Sequence, residues 1–466
     1  MSFLIYDITF LILFSLFIVL FLHKKRKEIK REGIIYIYRT KIGMKTINYV
    51  GKKYSKFLNA IKYVVIGLGF ILMAVIIYMI GSSLYAYISI PEITETIKAP
   101  PIAPLIPYFP QLFGMQQFFP NFYFTYFIIA LAVVALVHEF SHGIFMRTFN
   151  MKIKSTGFAF LGPIPGAFVE QDEKDMQKKK NIDQMAVLGA GAFANTITAF
   201  IFFMVILGLF YTAFQPAGYM FNHRNLMNPQ IISIENISGY NNRSYDVIEI
   251  YSGNNTYYST YDYLEIQLSN KSAKEIIVFE GSPAIKNDLR GVIIQADNTQ
   301  IKNQEDLQDF LSDKRPGDKI KLKTKLNNET KEYNITLDKH PENESRGFLG
   351  IGFIEPDSGL FSKLMIHIMQ LRNPTLYKAP TYYEQKWNFG LIMFVFELLW
   401  WVAMINFFVG LFNMLPLGIL DGGRFFYLTI LSITKSDKTA KILFKATTYL
   451  IIFVFALMTI IWFLRI

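Results

Sequence analysis

Apolar runs of bilayer length recur along this chain, and they leave few folds open to it. Five of them cover about Phe3 to Leu22, Tyr63 to Ile88, Phe122 to Met146, Gln184 to Phe214 and Ala446 to Leu464; a sixth starts near Phe389. A run of about twenty apolar residues spans hydrocarbon as a helix, because lipid offers the backbone no hydrogen-bond partners. The first run has neither a basic start nor a small-residue cleavage site, so it reads as a helix and not a removable signal. Hydrophobic residues make up 52% of the 466, which excludes an ordinary soluble domain.

Charge sets the direction of the spans. The basic stretches lie at HKKRKEIKRE and on to Lys62, at Lys152 to Lys180, and at TKSDKTAK. All three fall on one side of a six-span count, and that side reads as cytosolic. The net charge of +11 therefore points to anionic lipid and not to nucleic acid. The same count places Pro91 to Asn121, rich in proline and aromatics, outside as an irregular interfacial loop.

It also places residues 215–387 outside, where the composition changes. Runs such as EIIVF, GVIIQ and KIKLKTKL alternate as strands do, so a separate domain is expected. Seven N-x-S/T patterns fall within it, at Asn236, Asn242, Asn254, Asn270, Asn328, Asn334 and Asn343, as suits an extracytoplasmic domain.

The third run carries the chemistry. LAVVALVHEFSHGIF places His138 and His142 four residues apart, on one helix face, with Glu139 beside the first. Two histidines at that spacing bind zinc, and the glutamate serves as general base for the attacking water. The bland reading is a helix end with chance polar residues, but ionisable groups inside a span are costly and usually functional. With no cysteine in the chain, a third ligand must be His or carboxylate. Asp421, at a helix break in NMLPLGILDGGR, is the best candidate; alone among apolar residues it would be expensive. In the fourth span GAGAFAN sets Gly189, Gly191 and Asn195 on one side, and a buried amide there needs partners. Pro163 and Pro165, flanked by Gly162 and Gly166, predict a short hairpin or re-entrant loop after the third span.

These motifs together resemble the site-2 proteases, intramembrane zinc metalloproteases that cut transmembrane substrates. HEFSH (138–142), GAFAN (191–195) and NMLPLGILDG (413–422) occur in that family's order. The resemblance implies that His138, His142 and Asp421 bind zinc and that Glu139 activates water. It further implies that Asn195 and Asn413 line the site, on the substrate backbone or the developing oxyanion. PGAFVE (165–170) is similar to the family's membrane-associated segment beside the site, which could offer an edge to an unwound substrate. Residues of about 276–353, with GSPA (281–284) and PGD (316–318), resemble a PDZ domain, although Arg290 and Gly291 stand where such domains usually carry Gly-Asp.

The expected organisation is a polytopic α-helical membrane protein of about six spans with an inserted extracytoplasmic PDZ-like α+β domain. Residues 1–121 hold two spans, 122–214 and 388–433 the protease core, and 434–466 a cytosolic loop and the last span. Transmembrane proteins are the expected substrates, cut near the cytosolic side within the bilayer of the cell membrane, with a peptide as ligand of the PDZ-like domain. Two other readings stand beside this one. A membrane-anchored zincin with a cytosol-facing site would take its third ligand from a soluble helix. A non-catalytic scaffold would have no need for His138, Glu139, His142 and Asp421 together.

Overall fold

A computed structural model describes residues 3–89, 100–101, 105–115, 119–221, 227–244, 247–259, 264–265, 267, 274–326, 329–340, 343–352, 381–387 and 389–465. The chain divides into two compact units, Met1–Phe210 with Phe389–Ile466, and Tyr211–Asn388. Part of the Pro91–Asn121 loop and the acceptor sites at Asn270 and Asn328 lie outside the described residues.

In the first unit six helices have the length and hydropathy to cross a membrane. They are α1 (Phe3–Lys24), α3 (Ser55–Ser89), α4 (Phe124–Thr148), α5 (Asn181–Ala213), α6 (Phe389–Asn413) and α8 (Asp437–Arg465), with a short α2 (Met44–Lys53) before α3 and α7 (Asp421–Thr434) before α8. Helices α1 and α8 leave most of their apolar side chains uncovered by the rest of the protein. Their outward side chains, Leu13, Phe17 and Phe453 among them, make a surface that suits hydrocarbon. The core is one cluster in which Ile47, Val65, Met146, Leu188, Leu411 and Phe425 bring α2 to α7 together. The protein is thus a polytopic helical membrane protein with a sheet-rich second unit.

The basic stretch after the first span is more than a charged loop. Its residues form a hairpin, β1 (Ile29–Glu32) and β2 (Ile35–Thr40), and β2 pairs with β3 (Ile153–Leu161), which pairs with β4 (Ile164–Gln171). The sheet order is β1-β2-β3-β4. Leu161 pairs with Ile164, so Gly162 and Pro163 alone make the turn. Gly162 takes φ 59° there, which glycine adopts without strain. Pro165 then lies in β4, at the sheet's edge, where its missing N–H leaves no ladder bond broken. The proline-rich segment is therefore a hairpin.

The second unit contains two larger sheets. One has the order β6-β10-β9-β8-β7 and comprises β6 (Met227–Ser233), β7 (Ile237–Ser244), β8 (Val247–Ser252), β9 (Asn255–Ser259) and β10 (Glu275–Glu280). The other joins β5 (Phe214–Tyr219), β11 (Val292–Ala296), β12 (Thr299–Gln300), β13 (Lys319–Leu326), β14 (Glu329–Thr336) and β17 (Thr381–Gln385), and β15 (Asp338–Lys339) pairs with β16 (Gly347–Phe348). A helix over Gln304–Ser312, capped by Asn303 through the Asp306 N–H (2.9 Å), contributes Leu307 and Leu311 to a core with Tyr219, Ile293, Leu322 and Ile335. The EIIVF run falls in the first of these sheets and GVIIQ and KIKLKTKL in the second, so the segment from 276 to 353 shares its strands between two sheets.

Candidate metal centre

Helix α4 brings His138 and His142 one turn apart, with ring centroids 4.7 Å from each other. Asp421 reaches them from the first residue of α7. Its Oδ2 lies 3.2 Å from His138 Nε2 and 3.2 Å from His142 Nε2, and the two Nε2 atoms are 3.1 Å apart. Both histidines are buried and Asp421 is partly so.

Such a triangle suits a metal ion. Ligands at zinc distances of about 2.0–2.1 Å and near-tetrahedral angles lie about 3.3 Å from one another. His142 Nδ1 is 2.7 Å from the Val187 carbonyl, so its N–H donates there and Nε2 keeps a free lone pair. Two imidazole nitrogens and a carboxylate oxygen are a zinc donor set.

Glycines make room for this geometry. A Cβ on Gly191 of α5 would sit 2.6 Å from both His138 Cε1 and His142 Nε2, so the rings pack directly on that backbone. Asp421 owes its position to a reversal after α6. The chain leaves helix at Asn413, passes Pro416 and returns as α7, with Gly422 and Gly423 against the 414–418 turn. A Cβ at either would meet backbone atoms at 2.1–2.4 Å. Both glycines are needed for the aspartate to arrive where it does.

The other expected residues fall in different places. Glu139 Oε2 accepts a hydrogen bond from the Val169 N–H of β4 (2.9 Å), which turns the carboxylate toward that strand. Asn195 is 0% exposed, and its amide lies 3.1 Å from His138 Nδ1. Asn413 is half-buried at the end of α6 and has no hydrogen-bond partner among the described residues.

Sequence reasoning missed what holds α4 in place. Its first turn has no cap of its own; Asp7, 1% exposed near the start of the apolar helix α1, supplies it. Its carboxylate accepts from the Phe124 N–H (2.8 Å), the Thr125 N–H (2.8 Å), the Thr125 hydroxyl (2.6 Å) and the Tyr108 hydroxyl (2.7 Å). An aspartate inside a span was itself the signal. At the other end α2 grips α4: Ile47 packs on Gly143, Gly51 on the Ile144 carbonyl, and Asn48 accepts from Arg147. Glu397 of α6 is a second buried carboxylate in a span, with the Tyr126 hydroxyl 3.3 Å away.

Comparison with known proteins agrees with this arrangement. The sequence model of peptidase family M50 matches residues 126–458. The chain belongs to peptidase family M50. That family comprises zinc-dependent membrane metalloproteases of the site-2 protease kind, and the match takes in α4 to α7 and most of α8. An uncharacterized protein of Methanocaldococcus jannaschii is 35% identical over 169 residues, which are 35% of this chain. The chain spans 41% of that relative's length.

Proposed function

We propose that this M50 member is an intramembrane zinc metalloendopeptidase that hydrolyses peptide bonds within or near transmembrane segments of membrane proteins. The observation that carries this reading is the His138–His142–Asp421 triangle, built from two side chains of the membrane-length helix α4 and one at the start of the short helix α7. A zincin acting on soluble chains would close its site with a ligand from a soluble helix. Here the third ligand follows α6 directly, within apolar sequence.

His138, His142 and Asp421 hold the zinc, whose chemistry when bound is that of a Lewis acid that eases deprotonation of water and polarises a carbonyl. Glu139 takes the proton from the water that attacks the scissile carbonyl and returns it to the leaving amine. The Val169 N–H on Oε2 fixes this carboxylate and leaves Oε1 to carry the proton. A substrate helix has its carbonyls tied in its own hydrogen bonds and must open first; β4 ends its sheet and touches the glutamate, so its edge can receive an unwound segment. Asn413, with an unpaired amide beside the break in α6, is suited to a substrate carbonyl.

The basic β1–β2 stretch, the segment around 152–180 and the basic first turns of α8, which the sequence reads as a loop, face the cytosol of the cell membrane, and the second unit is extracytoplasmic. Within it the region of about 276–353 is PDZ-like and binds an extended peptide end. Ser282 caps the short helix after GSP and donates to the Gly350 carbonyl (3.0 Å), which closes that fold around Leu349 and Ile351. Cleavage of a reconstituted transmembrane substrate tests the proposal. Wild type should cut it, and Glu139→Gln should keep its zinc yet lose cleavage by at least about a hundredfold. Retained cleavage would remove Glu139 as the base, and zinc-loaded wild type that cuts only soluble chains would overturn the intramembrane reading.

A further inference from the structure

Asn195 is where a substrate-binding amide would be looked for, yet its surroundings point elsewhere. It is 0% exposed, sealed between α4 and α6, with Gly410 of α6 packed so closely that a Cβ there would lie 3.3 Å from Asn195 Cβ. Its one hydrogen-bond neighbour is His138 Nδ1, at 3.1 Å, and its second amide atom has no partner among the described residues. A residue so placed does not reach a substrate backbone. It reaches the imidazole of a metal ligand, on the nitrogen opposite the one that faces Asp421.

The chemistry of that imidazole fixes the direction of the bond. For Nε2 to offer its lone pair beside Asp421 and His142, the ring proton must sit on Nδ1. Nδ1 then donates, and the amide must present its carbonyl oxygen. An amide's oxygen and nitrogen exchange places on a half-turn with no change of shape, so the contact accommodates this orientation. The parallel with the other ligand is close: His142 Nδ1 donates to the Val187 carbonyl, four residues earlier on the same helix than Gly191. Helix α5 thus presents an oxygen to each ring and, between them, the bare backbone of Gly191 on which both rings rest.

We infer that Asn195 is a positioning residue for the metal site, a carbonyl acceptor that holds His138 in its Nδ1–H tautomer, and not a substrate or oxyanion contact. The inference rests on the zinc reading above. A purely structural role is disfavoured by the residue's own accounting: a buried amide with one bond and one orphan atom stabilises the fold less than a leucine of similar volume would. What Asn195 adds is the state of one ring.

The test is metal release from the full-length protein in detergent, followed by chelator competition, alongside KM and kcat on a transmembrane substrate. Asn195→Leu should bind zinc about 10- to 100-fold more weakly, the usual effect of removing such a partner. KM of the zinc-saturated variant should not move, and its melting temperature should not fall. Asn195→Asp keeps an acceptor oxygen on Nδ1–H and should restore wild-type zinc affinity. Unchanged zinc affinity in Asn195→Leu together with a raised KM would overturn the inference in favour of a substrate contact. Failure of wild type to bind zinc would instead refute the metal reading itself. If Asn195→Leu unfolds, Asn195→Asp decides alone: weaker zinc binding there refutes the acceptor role.

Discussion

Adding one methyl group at Gly191 should separate metal binding from stability. The Cβ of Gly191→Ala would stand 2.6 Å from His142 Nε2, 2.6 Å from His138 Cε1 and 2.7 Å from His138 Nδ1. Ordinary carbon contacts lie at about 3.5–4.0 Å, so the overlap is roughly 1 Å against two rings at once. Neither ring can retreat freely, since His142 is held at Nδ1 by the Val187 carbonyl and His138 by Asn195. Overpacking of this kind costs about 1–3 kcal/mol. Nearly all of it falls on the ligands, and at about 1.4 kcal/mol per tenfold zinc should bind about 5- to 140-fold more weakly. The helix itself gains, because alanine is favoured over glycine in a helix interior by about 0.8–1.0 kcal/mol. The metal-free variant should therefore melt no lower than wild type while losing its metal to a weaker chelator. Gly208→Ala, on the same helix with open space around the new Cβ, is the control and should leave zinc affinity unchanged. A Gly191→Ala protein that holds zinc as tightly as wild type would refute the reasoning, because the rings would then have room the structure denies them.

Further outcomes follow from the same geometry. Zinc content per chain should be about one in wild type and fall towards zero in Asp421→Ala, and full zinc without Asp421 would mean that another residue closes the site. Asp7→Ala strands the Phe124 and Thr125 N–H groups in a buried place, at about 1–3 kcal/mol each, so thermal unfolding in detergent should shift down by several degrees. Zinc affinity of the folded fraction should not change, since Asp7 caps the far end of α4; an unshifted melting curve would show that the cap contributes nothing. In the second unit burial opposes ionisation of Asp297, but the Lys321 N–H (2.8 Å) and the Lys314 ammonium (3.0 Å) outweigh it and hold its pKa below the usual carboxylate value. A depressed carboxylate stabilises above its unfolded pKa, about 3.9, and that stability is lost as pH falls through the lower folded value. Asp297→Asn should flatten this acid limb in a pH series of unfolding, and an unaltered limb would assign it to other groups.

Much was legible in the sequence because membrane burial restricts what a residue can be. Apolar runs of fixed length gave the spans, and their ionisable exceptions, His138, Glu139, His142 and Asp421, stood out against a background that tolerates few of them. By the same logic Asp7 is legible as an exception in an apolar helix, but no motif around it says what it does. Strand alternation in the polar segment showed sheet, as β8, β10, β11 and β13 bear out.

The sequence by itself determined the membrane class and the helix spacing of the two histidines, and it singled out Asp421 as the candidate third ligand, since local periodicity and solvent preference are written residue by residue. Only the tertiary structure decided that Asp421 meets the histidines within 3.2 Å and that the basic N-terminal stretch supplies two strands of the sheet ending at β4. It alone showed that Asp7 caps a helix 117 residues away. It also turned Asn195 toward a ligand ring. The strand pairing and the cap are contacts made by backbone carbonyls and N–H groups across long separations. A backbone group is the same at every position, so its partner is set by packing and not by the letters around it.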